Sequence, residues 1–337
     1  MNLSQNKKKV FVLCATKSGL DLLNLIKNSY NVSCVITAKT SKNSSPERIS
    51  AKNYCIKNKI KFIELKNYSN LDEIKKYIQN QKIDVIISIS WQRIIPQWFI
   101  NSAKIACLGA HGSHQGMYLG RGRSPINWSI LAGKQKFKLS LFLIQKDDAD
   151  SGPEIYSKNF NINDTDDVGT IYLKCHLLLS EMIIKFLKMK KFKYFKYHGK
   201  YRFLPKLTAE DGQIDWNRDS KKIYDFIRSK SSPYPPPFTV YKKQKININS
   251  AKVIDIKISK KLKPGTIYLK LEDNGLLVKT KDSFIKVFID HKNLQKIKEN
   301  EKFLSANFKL QVSKIINLHK KQFPKNKLNN LINQLLH

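Results

Sequence analysis

Short apolar runs alternate with amphipathic segments along the first half of the chain. The apolar runs predict buried strands over residues 9–15, 32–37, 61–65 and 84–90. The segments between them carry apolar residues at helical spacing and predict helices over residues 19–27, 50–57 and 71–79. Strands and helices in this order form a mostly parallel sheet covered by helices. The pattern therefore predicts an α/β fold for this half.

The stretch LGAHGSHQGMYLGRGRSPINW, residues 108–128, follows a fifth predicted strand that ends near Gly109. In open parallel sheets, ligands bind at the carboxyl ends of the strands, so we expect this stretch at the ligand-binding edge. The next apolar run, residues 139–145, predicts another buried strand, and the acidic loop KDDADSG follows it. In a parallel sheet this loop would emerge at the same edge.

Two further helices are predicted from capping signals. Pro125 suits a first helical turn, so Ser124 is expected to cap a helix that runs to about residue 132. Residues 165–190 predict one long helix with Thr165 as its cap and two aspartates in its first turn.

The pattern of residue types along the chain changes near Leu207. The basic aromatic run KMKKFKYFKYHGKYRF precedes this point, and shorter β-branched segments follow it. Turn signals separate these segments at Pro-Pro-Pro 235–237, Pro264-Gly265 and Asn274-Gly275. This spacing predicts a small β-rich second domain of the barrel type.

Length and charge narrow the class of protein. The 337 residues, 41% of them hydrophobic, are enough for two domains with buried cores. The net charge of +36 is typical of proteins that bind phosphates. However, only seven of the 62 basic residues are arginine, and the lysines are spread through a chain that is also rich in asparagine and isoleucine. This spread is typical of AT-rich coding, so the charge argues only weakly for a polyanionic partner.

The cysteines and the chain start indicate a reducing compartment. No cysteines form a CxxC pair, so we expect small buried thiols in the cytoplasm at positions Cys14, Cys34, Cys55, Cys107 and Cys175. The apolar run after the basic start is too short for a signal peptide, and no run reaches the length of a membrane span. The expected protein is soluble and intracellular.

Two histidines three residues apart, His111 and His114, are candidates for proton transfer. A single histidine is more often a structural hydrogen-bonding residue, but these two stand at a strand end before a loop rich in backbone donors. A carboxylate from the acidic loop could orient such a histidine, and Asp147, Asp148 and Asp150 are all candidates.

Metal binding and phosphate binding are the competing interpretations of this stretch. HxxH on a loop does not match helix-borne metal spacing, and no cysteine or glutamate completes a ligand set, so we expect no metal. The glycines of GMYLGRGRSP have neither Walker nor dinucleotide spacing. They indicate either a flexible turn or a loop that contacts an anionic ligand.

The order of motifs resembles one family. DVIISISWQRIIP, a strand ending in HGS, GRGRSPINWSILAG and SLFLIQKDDADSG are similar to the folate-dependent formyltransferases. These include methionyl-tRNA formyltransferases and enzymes that N-formylate nucleotide-linked amino sugars. DGQIDWNRDSKKIYDFIRSKSSPYPPPF and KPGTIYLKLEDNGLLVKT resemble the second domain of the same family. The resemblance covers roughly residues 8–310.

The resemblance implies a Rossmann-like, mostly parallel α/β domain that binds 10-formyltetrahydrofolate as formyl donor, and a smaller OB-like open barrel. The implied boundaries are a catalytic domain over 8–190, a basic linker over 191–207, a β-barrel-like domain over 208–310 and a helical tail over 311–337.

The resemblance also implies site residues. His111 matches the histidine that transfers the proton and contacts the oxyanion of the intermediate. Asp150 matches the aspartate that adjusts the properties of this histidine. The loop at Trp91 matches the one that holds the pterin ring through backbone contacts. The positions that match the cofactor site are Trp91, Gln92, Arg93, Arg123, Lys146, Asp147, Asp148, Ala149 and Asp150.

The chain departs from the family pattern at the histidine. The family has Asn-x-His-Gly-Ser, but Gly109 stands at the asparagine position, and the loop after the serine is two residues longer. Losing one oxyanion donor typically costs about 10²–10³ in rate. We therefore assign His114 as a third catalytic candidate that replaces the donor. A catalytically impaired folate- or RNA-binding relative is the alternative.

The identity of the molecule that carries the acceptor amine is inferred from the loops that differ between the two branches of the family. The tRNA enzymes carry a long basic insertion after the second strand that reaches the acceptor stem, and here that stretch is shorter and lacks a basic tip. WQRIIP and GRGRSPINW are closer to the sugar-modifying branch. A nucleotide-activated amino sugar is the preferred acceptor, methionyl-tRNA is the alternative, and pairing through the second domain into a homodimer is implied by the sugar enzymes.

Overall fold

The computed structural model describes residues 8–40, 48–145, 149–256, 261–324, 332 and 335. The chain forms two compact units. The first comprises Met1–Arg121, Phe137–Phe160 and Tyr172–Tyr201, and the second comprises Gly122–Lys136, Asn161–Ile171 and Arg202–His337. The two units therefore interleave along the chain.

A seven-stranded sheet organises the first unit. Its strands are β1 (Val10–Cys14), β2 (Cys34–Ala38), β3 (Phe62–Leu65), β4 (Ile83–Ile89), β5 (Ala103–Ser113), β7 (Lys136–Leu143) and β8 (Glu154–Asn161). They lie in the order β3-β2-β1-β4-β5-β7-β8, and the first five are parallel. The predicted mostly parallel α/β sheet is confirmed. Strands β1 and β2 are buried at every position, as expected where helices cover both faces.

The fifth strand extends beyond its parallel neighbour. β5 pairs with β4 as far as Ile87 opposite Leu108, and then continues to Ser113 along β7, to which it is antiparallel. The prediction that this strand ends near Gly109 was therefore wrong. Because β7 runs back along the extension, its carboxyl end pairs with Leu108, level with the end of β4. The acidic loop reaches the expected edge from an antiparallel strand, not from a parallel one.

Helices cover this sheet. They are α1 (Lys17–Ser29), α2 (Lys52–Lys57), α3 (Lys75–Gln79), α4 (Gln97–Ile100) and α6 (Val168–Lys188). The predicted cap of α6 was wrong. Thr165 lies in a turn, and Oδ1 of Asp167 accepts the Thr170 N–H at 2.8 Å, so the helix begins at Val168 with no acidic residue in its first turn. Aspartate directly before the first turn satisfies an N–H that has no helical partner.

The helix after the glycine-rich loop, α5 (Pro125–Leu131), begins as predicted, but Ser124 does not cap it. Ser124 has φ 56°, and its Oγ makes no capping bond to the helix. Instead, Oγ accepts the backbone N–H of Leu207 at 3.2 Å. The hydroxyl therefore joins two segments of the second unit instead of satisfying the helix end.

The second unit is β-rich, as predicted. Strands β10 (Phe238–Tyr241) and β11 (Gln244–Asn247) form a hairpin. A four-stranded antiparallel sheet has the order β12-β15-β14-β13, with strands Ser250–Ile254, Phe284–Phe288, Gly275–Lys279 and Ile267–Lys270. Further elements of this unit include the two-residue strand β9 (Phe203–Leu204) and the helices α7 (Ser220–Arg228), α8 (His291–Leu294) and α9 (Phe308–Gln322). The short strand β6 consists of Arg121 and Gly122. Phe308 and Val312 of α9 belong to the core of this unit.

All five cysteines are buried, as the sequence predicts. Burial raises the pKa of the Cys107 and Cys175 thiols to about 12, so both stay protonated and unreactive near neutral pH. We expect the native protein to react with less than about one equivalent of a thiol reagent such as DTNB at pH 8, and with all five thiols in guanidinium. Rapid titration of several thiols in the native protein would contradict the buried positions.

Within the described residues, no helix is long and apolar enough to cross a membrane.

Candidate functional site

The extension of β5 carries the central histidine. Residues on alternate positions of a strand share a face, so Gly109 and His111 point to the same side. His111 lies opposite Ser140 of β7, and its side chain is 10% exposed. The His-Gly-Ser cluster is thus held by a strand ladder, although the sequence predicts it after the strand.

His111 lies between two acceptors. Its Nδ1 is 3.5 Å from Oδ2 of Asp150, and its Nε2 is 2.8 Å from the carbonyl oxygen of Gly120. A doubly protonated imidazole ring would donate one N–H to each. The carboxylate is only 21% exposed, so water screens the pair weakly. A histidine with one nitrogen oriented by a carboxylate and the other directed at an oxygen can transfer a proton.

The acidic loop supplies Asp150 from a turn. Asp150 has φ 57°, in the left-handed region. Ala149 before it is exposed, and its carbonyl oxygen accepts from Arg121. Of the other predicted positions in this loop, Lys146, Asp147 and Asp148 lie outside the described residues.

The glycine at the asparagine position is tightly covered. A Cβ atom on Gly109 would lie 2.7 Å from Cζ of Phe142 and 3.0 Å from Cγ1 of Ile144. Phe142 is 5% exposed and belongs to a small apolar cluster with Tyr118. The Phe142 ring therefore occupies the space that an asparagine side chain would need.

His114 lies in the turn that follows β5. Within this turn Ser113 Oγ donates to the Gly116 carbonyl at 2.7 Å and accepts the Gln115 N–H at 3.1 Å. His114 is half-buried. The hypothesis that it replaces the missing oxyanion donor stays a prediction.

The loop after β4 is built around Tyr68. The ring of Trp91 lies 4.4 Å from the Tyr68 ring, and the Gln92 N–H donates to the Tyr68 hydroxyl. The Arg93 guanidinium lies 5.1 Å from the same ring and donates from Nε to Ser69 at 2.9 Å. Within the described part of the chain, the buried indole Nε1 of Trp91 has no hydrogen-bond acceptor.

Arg123 belongs to the second unit, where its N–H donates to the Leu204 carbonyl at 2.9 Å. Its predicted contact with the cofactor stays a prediction. Among the described residues, no group of three or more His, Cys, Asp and Glu side chains is placed to hold a metal ion.

Sequence reasoning missed the residues that hold the pair in place. Gly120 contacts His111, and the next residue, Arg121, contacts the turn of Asp150. The signal was present, because Arg121 stands in the same Gly-Arg-Gly-Arg run as Arg123. A sequence does not show which arginine turns inward.

The Formyl transferase profile matches residues 8–187, and the Formyl transferase, C-terminal domain profile matches residues 206–306. The chain belongs to the formyltransferase family. Its members are folate-dependent N-formyltransferases that use 10-formyltetrahydrofolate as formyl donor. The predicted family, enzyme class and formyl donor are confirmed.

Among sequence relatives of this formyltransferase is the methionyl-tRNA formyltransferase of Mycoplasma mycoides. It is 29% identical over 316 residues, which are 90% of this chain and 94% of the relative. The methionyl-tRNA formyltransferase of Bacillus subtilis is 27% identical over 267 residues, which are 77% of this chain and 81% of the relative.

Solved structures show the same fold. The N-formyltransferase from Helicobacter canadensis, in complex with folinic acid and dTDP-3-aminofucose, superposes with a TM-score of 0.60 at 18% identity, over 84% of this formyltransferase and 100% of that chain. The methionyl-tRNA formyltransferase from Clostridium thermocellum gives a TM-score of 0.54 at 19% identity, over 74% and 95% of the two chains.

Proposed function

We propose that His111 and Asp150 are the residues that catalyse formyl transfer to a primary amine. The observation that supports this role is the contact of His111 with a carboxylate on one ring nitrogen and a carbonyl oxygen on the other. An oxygen that replaces Gly120 O at Nε2 would meet the same N–H group. In the neutral ring with Nδ1–H directed at Asp150, Nε2 first takes up the proton that the amine loses. The resulting Nε2–H group then donates to the oxygen that carries the developing negative charge.

The loop after β4 and the turn at Asp150 would hold the folate donor. When bound, 10-formyltetrahydrofolate supplies the formyl carbon that the amine attacks. The buried Nε1 of Trp91, which lacks an acceptor within the described residues, could donate to a ligand at the carboxyl edge. Arg93 and the turn at Ala149 and Asp150 would form the walls of that site. Asp150 would orient the His111 ring through its contact with Nδ1.

For the acceptor we propose the amine of a nucleotide-activated amino sugar. The segment that would carry a basic tRNA-binding insertion spans only residues 39–51, and its arginine, Arg48, packs on the protein. The Arg48 guanidinium lies 3.1 Å from the centre of the Tyr68 ring. An arginine that stacks there is not directed at an acceptor stem. Residues 41–47 of the segment lie outside the described residues.

Initiator methionyl-tRNA is the second candidate. The relatives from Mycoplasma mycoides and Bacillus subtilis are methionyl-tRNA formyltransferases that align over most of their length. The net charge of +36 also favours a polyanionic acceptor.

A side-by-side assay separates the two acceptors. We expect 10-formyltetrahydrofolate to formylate dTDP-3-aminofucose, with a rate that changes less than about threefold between 50 and 200 mM KCl, because few phosphates are contacted. Transfer to methionyl-tRNA that falls by about tenfold or more over this range would favour the tRNA candidate. Folate binding without turnover on either acceptor would overturn the catalytic proposal.

A further inference from the structure

The turn that presents Asp150 needs outside support. A non-glycine residue in the left-handed region costs free energy and persists only where neighbours hold it. A carboxylate must also be placed closely to orient a histidine, because a misplacement of about 1 Å can cost about 10²-fold in rate. The contacts on both sides of Asp150 are therefore expected to affect the rate of formyl transfer.

Arg121 holds the side before Asp150. Its Nε donates to the Ala149 carbonyl oxygen at 2.8 Å, and Nη2 contacts the same oxygen. The Arg121 side chain is fully buried, and its guanidinium lies 4.4 Å from the centre of the Tyr201 ring. A buried cation is costly unless dipoles and ring faces replace water, as the carbonyl and the ring do here.

Tyr118 holds the side after Asp150. Its hydroxyl donates to the Gly152 carbonyl at 3.1 Å and accepts the Glu154 N–H at 3.1 Å. Burial, reinforced by the charge of Glu154, raises the pKa of Tyr118 to about 12, so the hydroxyl keeps its proton at working pH.

The basic aromatic connector, residues 188–203, contacts both Tyr118 and Arg121. Tyr197 stacks on Tyr118 with ring centres 4.5 Å apart and an interplanar angle of 7°, and Tyr201 faces Arg121. Phe195 and Glu154 exchange backbone hydrogen bonds at 2.9 and 2.7 Å, which ties the connector to the strand after the turn. Tyr197 and Tyr201 of this segment thus pack internally, whereas the rings of Tyr194 and Phe195 are exposed.

The Gly120-Arg121 dipeptide contacts both His111 and the turn of Asp150. The carbonyl of Gly120 meets His111, and the side chain of Arg121 meets the turn of Asp150. A shift of this dipeptide would move both partners of the pair.

We propose that Arg121, held under Tyr201 of the connector, is a positioning residue that sets the Asp150 carboxylate against His111. This inference rests on the proposed catalytic role of Asp150. Because its side chain is fully buried, Arg121 acts through the Ala149 carbonyl and not by direct contact with a ligand.

A double-mutant cycle tests this coupling. Arg121→Met keeps the length of the side chain but removes the donors, and we expect kcat to fall by about 10- to 100-fold. In an Asp150→Asn background the same change should lower kcat by less than about threefold, because the carboxylate to be positioned is gone. The assay uses 10-formyltetrahydrofolate with whichever of dTDP-3-aminofucose and methionyl-tRNA gives turnover.

Added methylguanidinium should restore part of the rate in Arg121→Ala, where truncation leaves room for it, but none in the Arg121→Ala/Asp150→Asn double variant. Tyr201→Leu, at a partly exposed position, provides a second cycle if Arg121→Met does not fold. Tyr201→Phe keeps the ring and serves as its matched control, as does Tyr194→Leu at an exposed position of the connector. Both controls should retain the wild-type rate.

The outcomes separate this inference from the function on which it rests. Wild-type turnover of Asp150→Asn would overturn the proposed role of Asp150. An impaired Asp150→Asn with an unaffected Arg121→Met would overturn the positioning role alone. Equal losses from Arg121→Met in both backgrounds would also overturn it, because a merely structural defect would add to the loss of Asp150.

Discussion

Replacing His111 with alanine is expected to lower kcat for formyl transfer by about 10²- to 10⁴-fold, the range typical of general acid–base residues. The ring is the group that both the Asp150 carboxylate and the Gly120 carbonyl orient. Asp150→Asn, which keeps the shape of the side chain and removes its charge, should lower kcat by a similar factor. Both variants should retain the wild-type melting temperature within a few degrees.

His198→Ala is the matched control, because His198 is an exposed histidine of the same unit. It should leave the rate unchanged. Near-normal turnover of His111→Ala would show that the assignment of the proton-handling residue is wrong. Loss of folate binding in His111→Ala, measured by fluorescence titration, would indicate a binding role instead.

Restoring the family asparagine through Gly109→Asn is expected to destabilise the protein by about 1–3 kcal/mol, and to raise no rate. The new Cβ would lie 2.7 Å from the Phe142 ring, so the ring or β5 must move. Thermal unfolding monitored by circular dichroism measures the loss.

The double variant Gly109→Asn/Phe142→Leu removes the far end of the ring and gives the asparagine room. We expect it to recover stability relative to Gly109→Asn and to raise kcat by about 10-fold or more if the amide reaches the oxyanion. Phe142→Leu alone is the control. A stable and faster Gly109→Asn single variant would show that Phe142 does not block the position.

The order of motifs identified the family. The structure places Nδ1 of His111 3.5 Å from Oδ2 of Asp150, and the catalytic roles of both residues stay a prediction. Two kinds of detail were missed. The cap of α6 moved from Thr165 to Asp167, because either side chain suits a helix start and only the backbone path decides between them. Ser124 kept its position but directs its hydroxyl to Leu207, a partner 83 residues away.

The larger omission from the sequence-based prediction was Arg121, whose side chain is directed inward. Arg121 and Arg123 are two residues apart in a run that predicts an anion-binding loop. Arg121 is fully buried against a backbone carbonyl, and that environment comes from the Asp150 turn and from Tyr201. None of these neighbours is adjacent in sequence, so residue type alone could not reveal the contact.

The sequence by itself determined the α/β class, the β-rich second half, the family and its formyl donor. The first two follow from local apolar periodicity, and the family and its donor follow from the resemblance of the motifs to known formyltransferases. Neither depends on how distant segments meet. Only the tertiary structure decided that β7 runs antiparallel along the extension of β5, and that Phe142 covers Gly109. It also decided that Gly120 and Arg121 hold the two partners of the pair. Strand direction and register are set by the packing of segments far apart in the chain, and that packing brings Asp150 to His111.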